Sequence, residues 1–525
     1  MATSTEVHIP ILGSEIIEAG PGYAVVESKG DEWKTRHVSD FVMEPVSRIL
    51  VGGDNARLIF EVKVRGELLQ LSSALFSNTS KWHSWVNAHG LEWYGSLRDL
   101  AGLFGLLNRA DVPTLHGVDT VGLHGETFVL PTHAIGEQGR YAYVPPAIGD
   151  TWTDSTHLLP GSWSVEVIET LAKLHRPDVM TVLLGWIAAA PLRSRMRDFP
   201  PLLITGAAGN GKTTIVRAVL DAFGFWTAEP QTVSGTTRYG VQGQGASSNA
   251  LPVWFDEWRA NVGTLDTRYA IEQLVRDAWN GGSAIKGGGN RDNVMELSRL
   301  PASAPVLITG EDTFTETSHL QRVVVINLPS AGRNVESLKA LEATDPDDPS
   351  SPALRSDGLG HAYLDWLRDQ IEDGTLPPVP HRYDRPEHGR SIVRWGYGLL
   401  VDFCEHFDID VDLPAFDDSL VKRDQIEAVR ISPVDNAIEE ADGVQVDTKP
   451  ITWQHDGFTY LRPGALVAWV QRSRTDIKLP GGPQAVVAYV KDKHGAKEHN
   501  HRVYRRCYRW ETPEADTHDT LPTHS

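Results

Sequence analysis

Cysteine is nearly absent. Cys404 and Cys507 are the two in 525 residues, and they lie far apart in the chain. That excludes a disulfide framework and a Cys-x-x-Cys zinc site, and it points to a reducing compartment. Long hydrophobic runs are missing too. The longest, Val182–Leu192, is followed by Arg193, Arg195 and Arg197, and it falls well short of the roughly 20 residues that a membrane span needs. The first residues, Met-Ala-Thr-Ser-Thr-Glu-Val-His, lack a basic stretch followed by an apolar one. No signal peptide and no membrane partner are therefore expected, and the expected location is the cytoplasm. Positive charge is scarce: 49 basic residues stand against 69 acidic ones, a net of −20. Such a balance argues against a protein that coats nucleic acid indiscriminately. Internal repeats are absent.

The length suggests three or four domains, and 41% hydrophobic with 22% charged residues is ordinary for a globular chain. Charge is unevenly spread. Residues 401–450 hold fourteen acidic and four basic residues, whereas 452–510 hold eleven basic and four acidic ones. Residues 1–160 read as a mixed α and β domain of unknown role. Ala56–Val64 alternates like a strand, Gly66-Glu67 and Leu68–Leu71 complete a hairpin, and Leu97–Leu107 has helical spacing. Trp82, Trp85, Trp93 and Tyr94 are read as core. This region holds no Asp-x-Asp carboxylate pair of the kind a metal-dependent primase or polymerase needs. Residues 161–200 read as a helical connector, its second helix apolar nearly all round and so buried. Residues 336–450 read as a Pro/Asp/Ser-rich linker, a helical region (361–375 and 390–406) and an acidic mobile loop at 434–450. Residues 511–525 read as a disordered tail.

The most informative segment is 201–335. Pro201-Leu-Leu-Ile-Thr205 is a short buried strand that runs into Gly206-Ala207-Ala208-Gly209-Asn210-Gly211-Lys212-Thr213-Thr214. This is G-x-x-x-x-G-K-[ST], the Walker A pattern. Glycines let the backbone curl round a phosphate with its N–H groups inward, and the next helix adds a favourable N-terminal dipole. Lys212 reaches the β- and γ-phosphates, and the Thr213 hydroxyl is placed to ligate Mg²⁺. Ile215, Val216, Val219, Leu220 and Phe223 then form one helix face. Ala250–Glu257 is an apolar strand ending in two acids, the Walker B form. Asp256 would hold Mg²⁺ through water, and Glu257 would take the proton of an attacking water. The expected cofactors are ATP and Mg²⁺. Gly235–Gly245 reads as a flexible surface loop. Thr267–Trp279 reads as a helix closed by Asn280-Gly281-Gly282. Ser283–Met295 reads as a hairpin whose tip carries Lys286 and Arg291, and strands follow at Pro305–Thr309 and Arg322–Leu328.

Walker A, a close Walker B, a basic hairpin before the next strand and an arginine opening the last strand resemble the layout of AAA+ ATPases. Within them the chain is most similar to superfamily 3 helicases, the helicase part of phage and plasmid primase-helicases. The resemblance covers about 160–335 well, the N-terminal region weakly, and the C-terminal module in outline. It implies an α/β fold: an AAA+-like P-loop core with a parallel sheet, a mixed α+β domain before it and a winged-helix-like domain after it. It also implies a ring, usually a homo-hexamer, with DNA in the pore, in a bacterial cytoplasm if phage-encoded. A separately encoded primase or polymerase is an expected partner. By position, Thr309 takes the sensor 1 place, where the family usually has Asn. Arg322 takes the place of an arginine finger, with Arg299 and Arg291 as rivals. Lys286 and Arg291 take the place of pore contacts to single-stranded DNA.

Residues 451–510 form a basic module. Gly464–Arg472 and Gln484–Lys493 read as helices, and Arg502–Trp510 as a strand. Helix, turn, helix and basic wing suggest duplex contacts from Lys491, Lys493, Arg502, Arg505 and Arg509. His494, His499 and His501 lack partner ligands for a metal. The leading reading is an ATP-driven ring helicase or translocase in phage or mobile-element replication. A packaging or clamp-loader motor and an ATP-switched DNA-binding protein are the alternatives.

Overall fold

The computed structural model describes residues 14–29, 32–52, 57–137, 139–145, 152, 158–225, 231–259, 264–290, 293–314, 316–343, 354, 358–382, 384–423, 434, 437, 438, 441, 444–456, 458–473, 479, 482–501 and 505–511. The chain forms two compact units, residues 1–153 with 367–375, and residues 154–366 with 376–525. The first block read from sequence ran to 160 and had no later contribution.

In the first unit, β1 (Ser14–Ala19), β2 (Gly22–Lys29) and β3 (Glu32–His37) form an antiparallel sheet. A mixed sheet follows from β4 (Glu44–Val51), β5 (Arg57–Val64), β6 (Glu67–Ser72), β7 (Thr114–Val118) and β11 (Tyr141–Tyr143), in the order β11-β7-β4-β5-β6. The β5–β6 hairpin turns on Arg65 and Gly66, both at positive φ, as two-residue hairpin loops favour. Between β7 and β11 lie β8 (Gly122–His124), β9 (Thr127–Val129) and β10 (Ala134–Ile135), a small sheet of their own. Helices α1 (Thr79–Ala88) and α2 (Leu97–Arg109) pack on β5 and β6 around Phe60, Trp82, Trp93, Leu100 and Leu103. Ser96 and Asp99 cap α2 reciprocally, the arrangement that satisfies two orphan N–H groups at once. Trp85 lines this core, but Tyr94 is 60% exposed, so not every aromatic read as core is buried.

The second unit opens with α3 (Glu166–Ala172) and α4 (Pro177–Ala189). Every residue of α4 from Asp178 onward is buried. Its partner is α11 (Arg385–His406), and the two cross where Gly185 meets Gly396: a Cβ on Gly396 would lie 2.1 Å from the Gly185 carbonyl. The connector helix and the later helical region are therefore one packed layer.

Next comes a five-stranded, all-parallel sheet in the order β13-β14-β17-β12-β18. Its strands are β12 (Leu202–Thr205), β13 (Gln231–Thr232), β14 (Val253–Trp258), β17 (Val306–Gly310) and β18 (Val324–Asn327). β12, β17 and most of β14 and β18 are buried, as in a sheet covered on both faces. The crossovers carry α5 (Lys212–Phe223), α6 (Arg238–Ala246), α7 (Leu265–Asn280) and α8 (Thr317–Leu320).

The segment read as a loop at Gly235–Gly245 is largely α6. The Thr237 hydroxyl caps it, Val241 is buried, and Gly245 packs so closely on Leu274 that a Cβ would come 2.4 Å from it. At Gly245 the missing side chain serves close packing, whereas Gly243 faces open space.

Between α7 and β17 stands the hairpin β15 (Ser283–Asn290) and β16 (Asn293–Pro301). It is two full strands, longer than the tip read from sequence. After β18 come α9 (Val335–Glu342), α10 (Leu359–Glu372) and α11.

The C-terminal part pairs β19 (Gln445–Val446) with β20 (Lys449–Pro450). It then builds β21 (Thr452–His455), β22 (Phe458–Leu461), α12 (Pro463–Ser473), α13 (Pro483–His494), β23 (Lys497–His501) and β24 (Arg505–Glu511). The last four strands make one antiparallel sheet, β21-β22-β24-β23. Two helices followed by a β-hairpin match the winged-helix outline. Val434, Ala437 and Ala441 are wholly buried in this core with Ile451 and Leu466. The acidic stretch read as a mobile loop thus contributes core residues: its few apolar side chains are what anchor it. Among the described residues no helix is long and apolar enough to cross a membrane.

Candidate nucleotide site

The candidate site lies at the carboxyl end of the parallel sheet, beyond β12, which runs between β17 and β18. That end is where ligands bind in open α/β sheets. The loop 206–211 turns on Gly206, Gly209 and Gly211, at φ of 145°, 83° and 86°, values that only glycine adopts readily. A Cβ on Gly206 would also lie 2.8 Å from the Leu328 carbonyl. Asn210 closes the loop by donating to that carbonyl at 2.8 Å. Ala207, Ala208 and Gly209 are exposed, and Thr214 is exposed on the first turn of α5. Gly211 is the N-cap of α5 and makes no side-chain cap. The first N–H groups of the helix therefore stay open to an anion.

Lys212 donates through Nζ to the carbonyls of Gly206 at 2.7 Å and Ala207 at 3.0 Å, which places its ammonium in the hollow of the loop. Burial lowers its pKa, opposed by Glu311 and Asp256.

Asp256 is the hub. It is 9% exposed on β14. One carboxylate oxygen, Oδ2, accepts from the Thr213 hydroxyl at 2.9 Å. The other, Oδ1, accepts from the Thr309 hydroxyl at 2.5 Å and from the Glu257 N–H at 2.8 Å. Thr309 is wholly buried on β17, between β14 and β12, and also accepts from the Trp254 indole at 2.8 Å. The structure thus joins Thr213, Asp256 and Thr309 in one network. The Thr213 hydroxyl and Asp256 carboxylate converge on one point, as a hard cation with few protein ligands requires.

Glu257 is exposed and sits at φ 64°, where the pairing of β14 with β17 shifts register between Phe255 and Trp258. This bulge turns the carboxylate away from the sheet. Bulges often re-aim side chains at sites of this kind.

Three neighbours were not foreseen in the sequence. Glu311 follows β17 and pairs with Arg259 at 2.5 Å beside Lys212. Arg333 follows β18 and lies against Gly211, where a Cβ would come 3.1 Å from Arg333 Cδ. Past it opens a cavity of about 450 Å³ lined by Lys173, His175, Arg176, Gly332, Asn334 and Asp412. The Asn334 N–H donates to the Leu174 carbonyl at 2.9 Å, fastening this loop to the turn between α3 and α4. His175 is 4% exposed, and neither ring nitrogen makes a hydrogen bond of ordinary geometry. Burial lowers its pKa, and the Pro329 carbonyl opposes that. No signal marked these residues, because their contacts depend on how the loop after β18 folds back.

Arg322 lies just before β18, half-buried, and donates to the Ser318 carbonyl. It sits at the opposite end of the strands from the loop: Leu202 pairs with Val324, and Thr205 with Asn327. Lys286 lies on β15, opposite Ser298. Its side chain and those of Arg299, Lys493 and Arg505 are outside the described residues, as are Arg291 and Arg502 entirely. In the C-terminal module Lys491 is exposed and stands over the Tyr508 ring at 5.4 Å. Arg509 stands over Phe458 at 4.7 Å and donates to the Tyr460 hydroxyl at 3.3 Å.

No protein-family profile matches the chain, and no curated protein does. Solved structures do. The structure described as SCCmec type IV Cch, an active helicase, superposes at TM-score 0.60 with 11% identity, covering 97% of this chain and 98% of that one. The A form apo structure of the NrS-1 C-terminal region matches at TM-score 0.36 and 12% identity, over 86% of this chain and 94% of that one. The chain therefore shares the α/β fold of the Cch helicase over nearly its whole length.

Proposed function

We propose that this chain is an ATP-driven DNA helicase or translocase of the superfamily 3 kind, working as a ring in the replication of a phage or mobile element. The observation that carries the reading is the Thr213–Asp256–Thr309 network beside an uncapped helix N-terminus and a glycine loop that holds Lys212. The residues fit a nucleotide triphosphate with Mg²⁺. The loop N–H groups and Lys212 hold the phosphates. Thr213 and Asp256 hold the metal, and Glu257, carried clear of the sheet by its bulge, takes a proton from water. Mg²⁺ and the triphosphate supply the electrophilic phosphorus and neutralise its oxygens. Arg333 and the adjoining cavity would seat the rest of the nucleotide, within the loop's own neighbourhood. The shared fold with a protein described as an active helicase supports the DNA part of the reading, as does the basic balance of residues 452–510.

The test is steady-state ATP hydrolysis with and without single-stranded DNA, followed by strand displacement on a forked duplex. Hydrolysis stimulated by single strands, with unwinding, supports the proposal. Hydrolysis indifferent to DNA favours a switch or loader, a reading that the presence of Glu257 disfavours only weakly. No hydrolysis at all sinks both the helicase and motor readings.

A further inference from the structure

The four-stranded sheet of the C-terminal module has two unlike faces. Strand register sets them, because directly opposed residues share a face and successive residues alternate. One face carries Leu461, Tyr508 and Trp510, which join Leu466, Val470, Val486 and Val490 of α12 and α13 in one core. Among the described residues the other face gives that core nothing. Across it runs a single row of opposed residues: Trp453 on β21, Tyr460 on β22, Arg509 on β24 and Lys497 on β23. Phe458 and His499 stand on the same face, two residues along from Tyr460 and Lys497. The Trp453 and Tyr460 rings stack nearly parallel, 7° apart with centroids at 5.1 Å. His499 meets Tyr460 edge-on at 5.6 Å. Arg509 lies over Phe458 and donates to the Tyr460 hydroxyl. Tyr460, inside the row, is 4% exposed. Trp453, Phe458, His499 and Arg509 are part-exposed around it, and Lys497 is exposed. Glu511, opposite Phe458, is the one acid on this face among the described residues.

A cross-strand aromatic pair stabilises a sheet, and that alone would account for Trp453 beside Tyr460. It does not account for the cations that continue the row. Rings followed by cations are what a base and its phosphates need together: a flat partner for stacking and a positive charge beside it. β21 is an edge strand of this sheet, so the row opens at Trp453. Tyr460 takes one face of the indole, and a base reaches the indole from the sheet edge. Three strand spacings, roughly 14 Å, separate Trp453 from Lys497, room for a short run of nucleotides. Paired bases in a duplex are already stacked, so the surface suits a single strand. The eleven basic and four acidic residues of 452–510 suit a polyanion, whereas protein interfaces are depleted in lysine.

We propose that this sheet face is a stacking platform for single-stranded DNA, on which Trp453 stacks a base while Arg509 and Lys497 meet the neighbouring phosphates. The winged-helix outline pointed to α13 and to duplex DNA; this face lies on the opposite side of the sheet from both helices. The inference rests on the DNA-acting reading above and gives it a strand-holding site outside the β15–β16 hairpin.

The experiment uses the full chain. Fluorescence anisotropy measures binding of a labelled oligothymidylate, and of an abasic strand of the same length, to wild type, W453L, W453F and K497A. One stacked base is worth roughly 5- to 100-fold in affinity, so W453L should bind oligothymidylate at least about fivefold more weakly. W453F, which keeps a ring, should recover most of that loss. On the abasic strand W453L should match wild type within about twofold, because no base is there to stack. K497A should weaken both strands alike. The wild-type chain supplies a check that needs no variant: an oligothymidylate carrying 5-iodouracil, irradiated in the complex, should crosslink to the peptide that holds Trp453. Wild-type affinity in W453L overturns the platform. Equal loss on both strands does so too, since Trp453 then acts only through the sheet. Crosslinks confined to the β15–β16 hairpin or to α13 overturn it, and so does a W453L defect seen only on duplex DNA. A wild type that binds no DNA of any kind fails the DNA-acting reading itself, and the platform falls with it.

Discussion

The Thr309 hydroxyl donates to Asp256 Oδ1 at 2.5 Å. Asp256 is thereby held from both sides, by Thr309 from the neighbouring strand and by Thr213 from the helix after the glycine loop. One carboxylate links β14, β17 and α5. A hydroxyl suffices at position 309 because the strand spacing already brings the side chain to the carboxylate.

That bond makes Thr309→Val a sharp test. Valine keeps the volume, takes the donor from Asp256 and removes the acceptor that the Trp254 indole uses at 2.8 Å. Loss of a buried hydrogen-bonding partner costs ~1–3 kcal/mol, so the urea midpoint should fall. Hydrolysis should drop about tenfold or more as Asp256 loses its fixed orientation, while Thr309→Ser should stay close to wild type on both measures. If Thr309→Val hydrolyses ATP normally, the network is structural only.

Much of this site was legible because its residues are contiguous. The Gly206–Thr214 run and the apolar strand ending in Asp256-Glu257 are local patterns whose geometry follows from the backbone alone. The rest depends on contacts between distant segments. The helix Arg238–Ala246 was hidden by its glycines, of which Gly245 is explained only by the closeness of Leu274, a residue far along the chain. Val434, Ala437 and Ala441 were hidden by the acids around them, although three small apolar residues suffice to dock that stretch. Arg333 and His175 meet the loop and its cavity only after the chain returns from β18.

Glu257 should show opposite effects on stability and turnover. A non-glycine residue at φ 64° carries strain of roughly 1 kcal/mol. Glu257→Gly should therefore raise stability by up to about 1 kcal/mol in chemical denaturation while abolishing hydrolysis. Glu257→Gln should keep the strain and the nucleotide affinity and lose about 10²–10⁴ in kcat, the usual contribution of a general base. Retained turnover in both variants would remove Glu257 from the mechanism.

Acid should weaken the folded chain through its buried imidazoles. Burial lowers the pKa of His319 and of His175, whereas in the unfolded chain each returns to about 6.5. Below that value the unfolded state takes up protons that the folded state refuses, so this share of the stability is intact above about pH 6.5 and is lost as the pH falls toward the folded pKa. The urea midpoint should drop between pH 7.5 and 5.5, and His319→Gln should flatten the drop. A variant as acid-sensitive as wild type would locate the effect elsewhere.

A substitution in the hairpin of β15 and β16 tests the proposed DNA contact apart from nucleotide chemistry. Lys286 lies on β15 opposite Ser298, and Gly287, Gly288 and Gly289 follow it. Without side chains, these glycines leave the backbone open to close approach by a strand of DNA. Among the described residues nothing in the Asp256 network involves the hairpin, so Lys286→Ala should leave basal ATP hydrolysis within about twofold of wild type. Stimulation by single-stranded DNA should fall severalfold, and the salt dependence of DNA binding should become shallower by about one counterion for each such contact removed. Both quantities can be read on one protein preparation, by titrating single strands at several salt concentrations. Full stimulation with an unchanged salt slope would exclude Lys286 as a DNA contact and move the search to the C-terminal module. There Lys491 is the first position to substitute, because it is exposed above the Tyr508 ring.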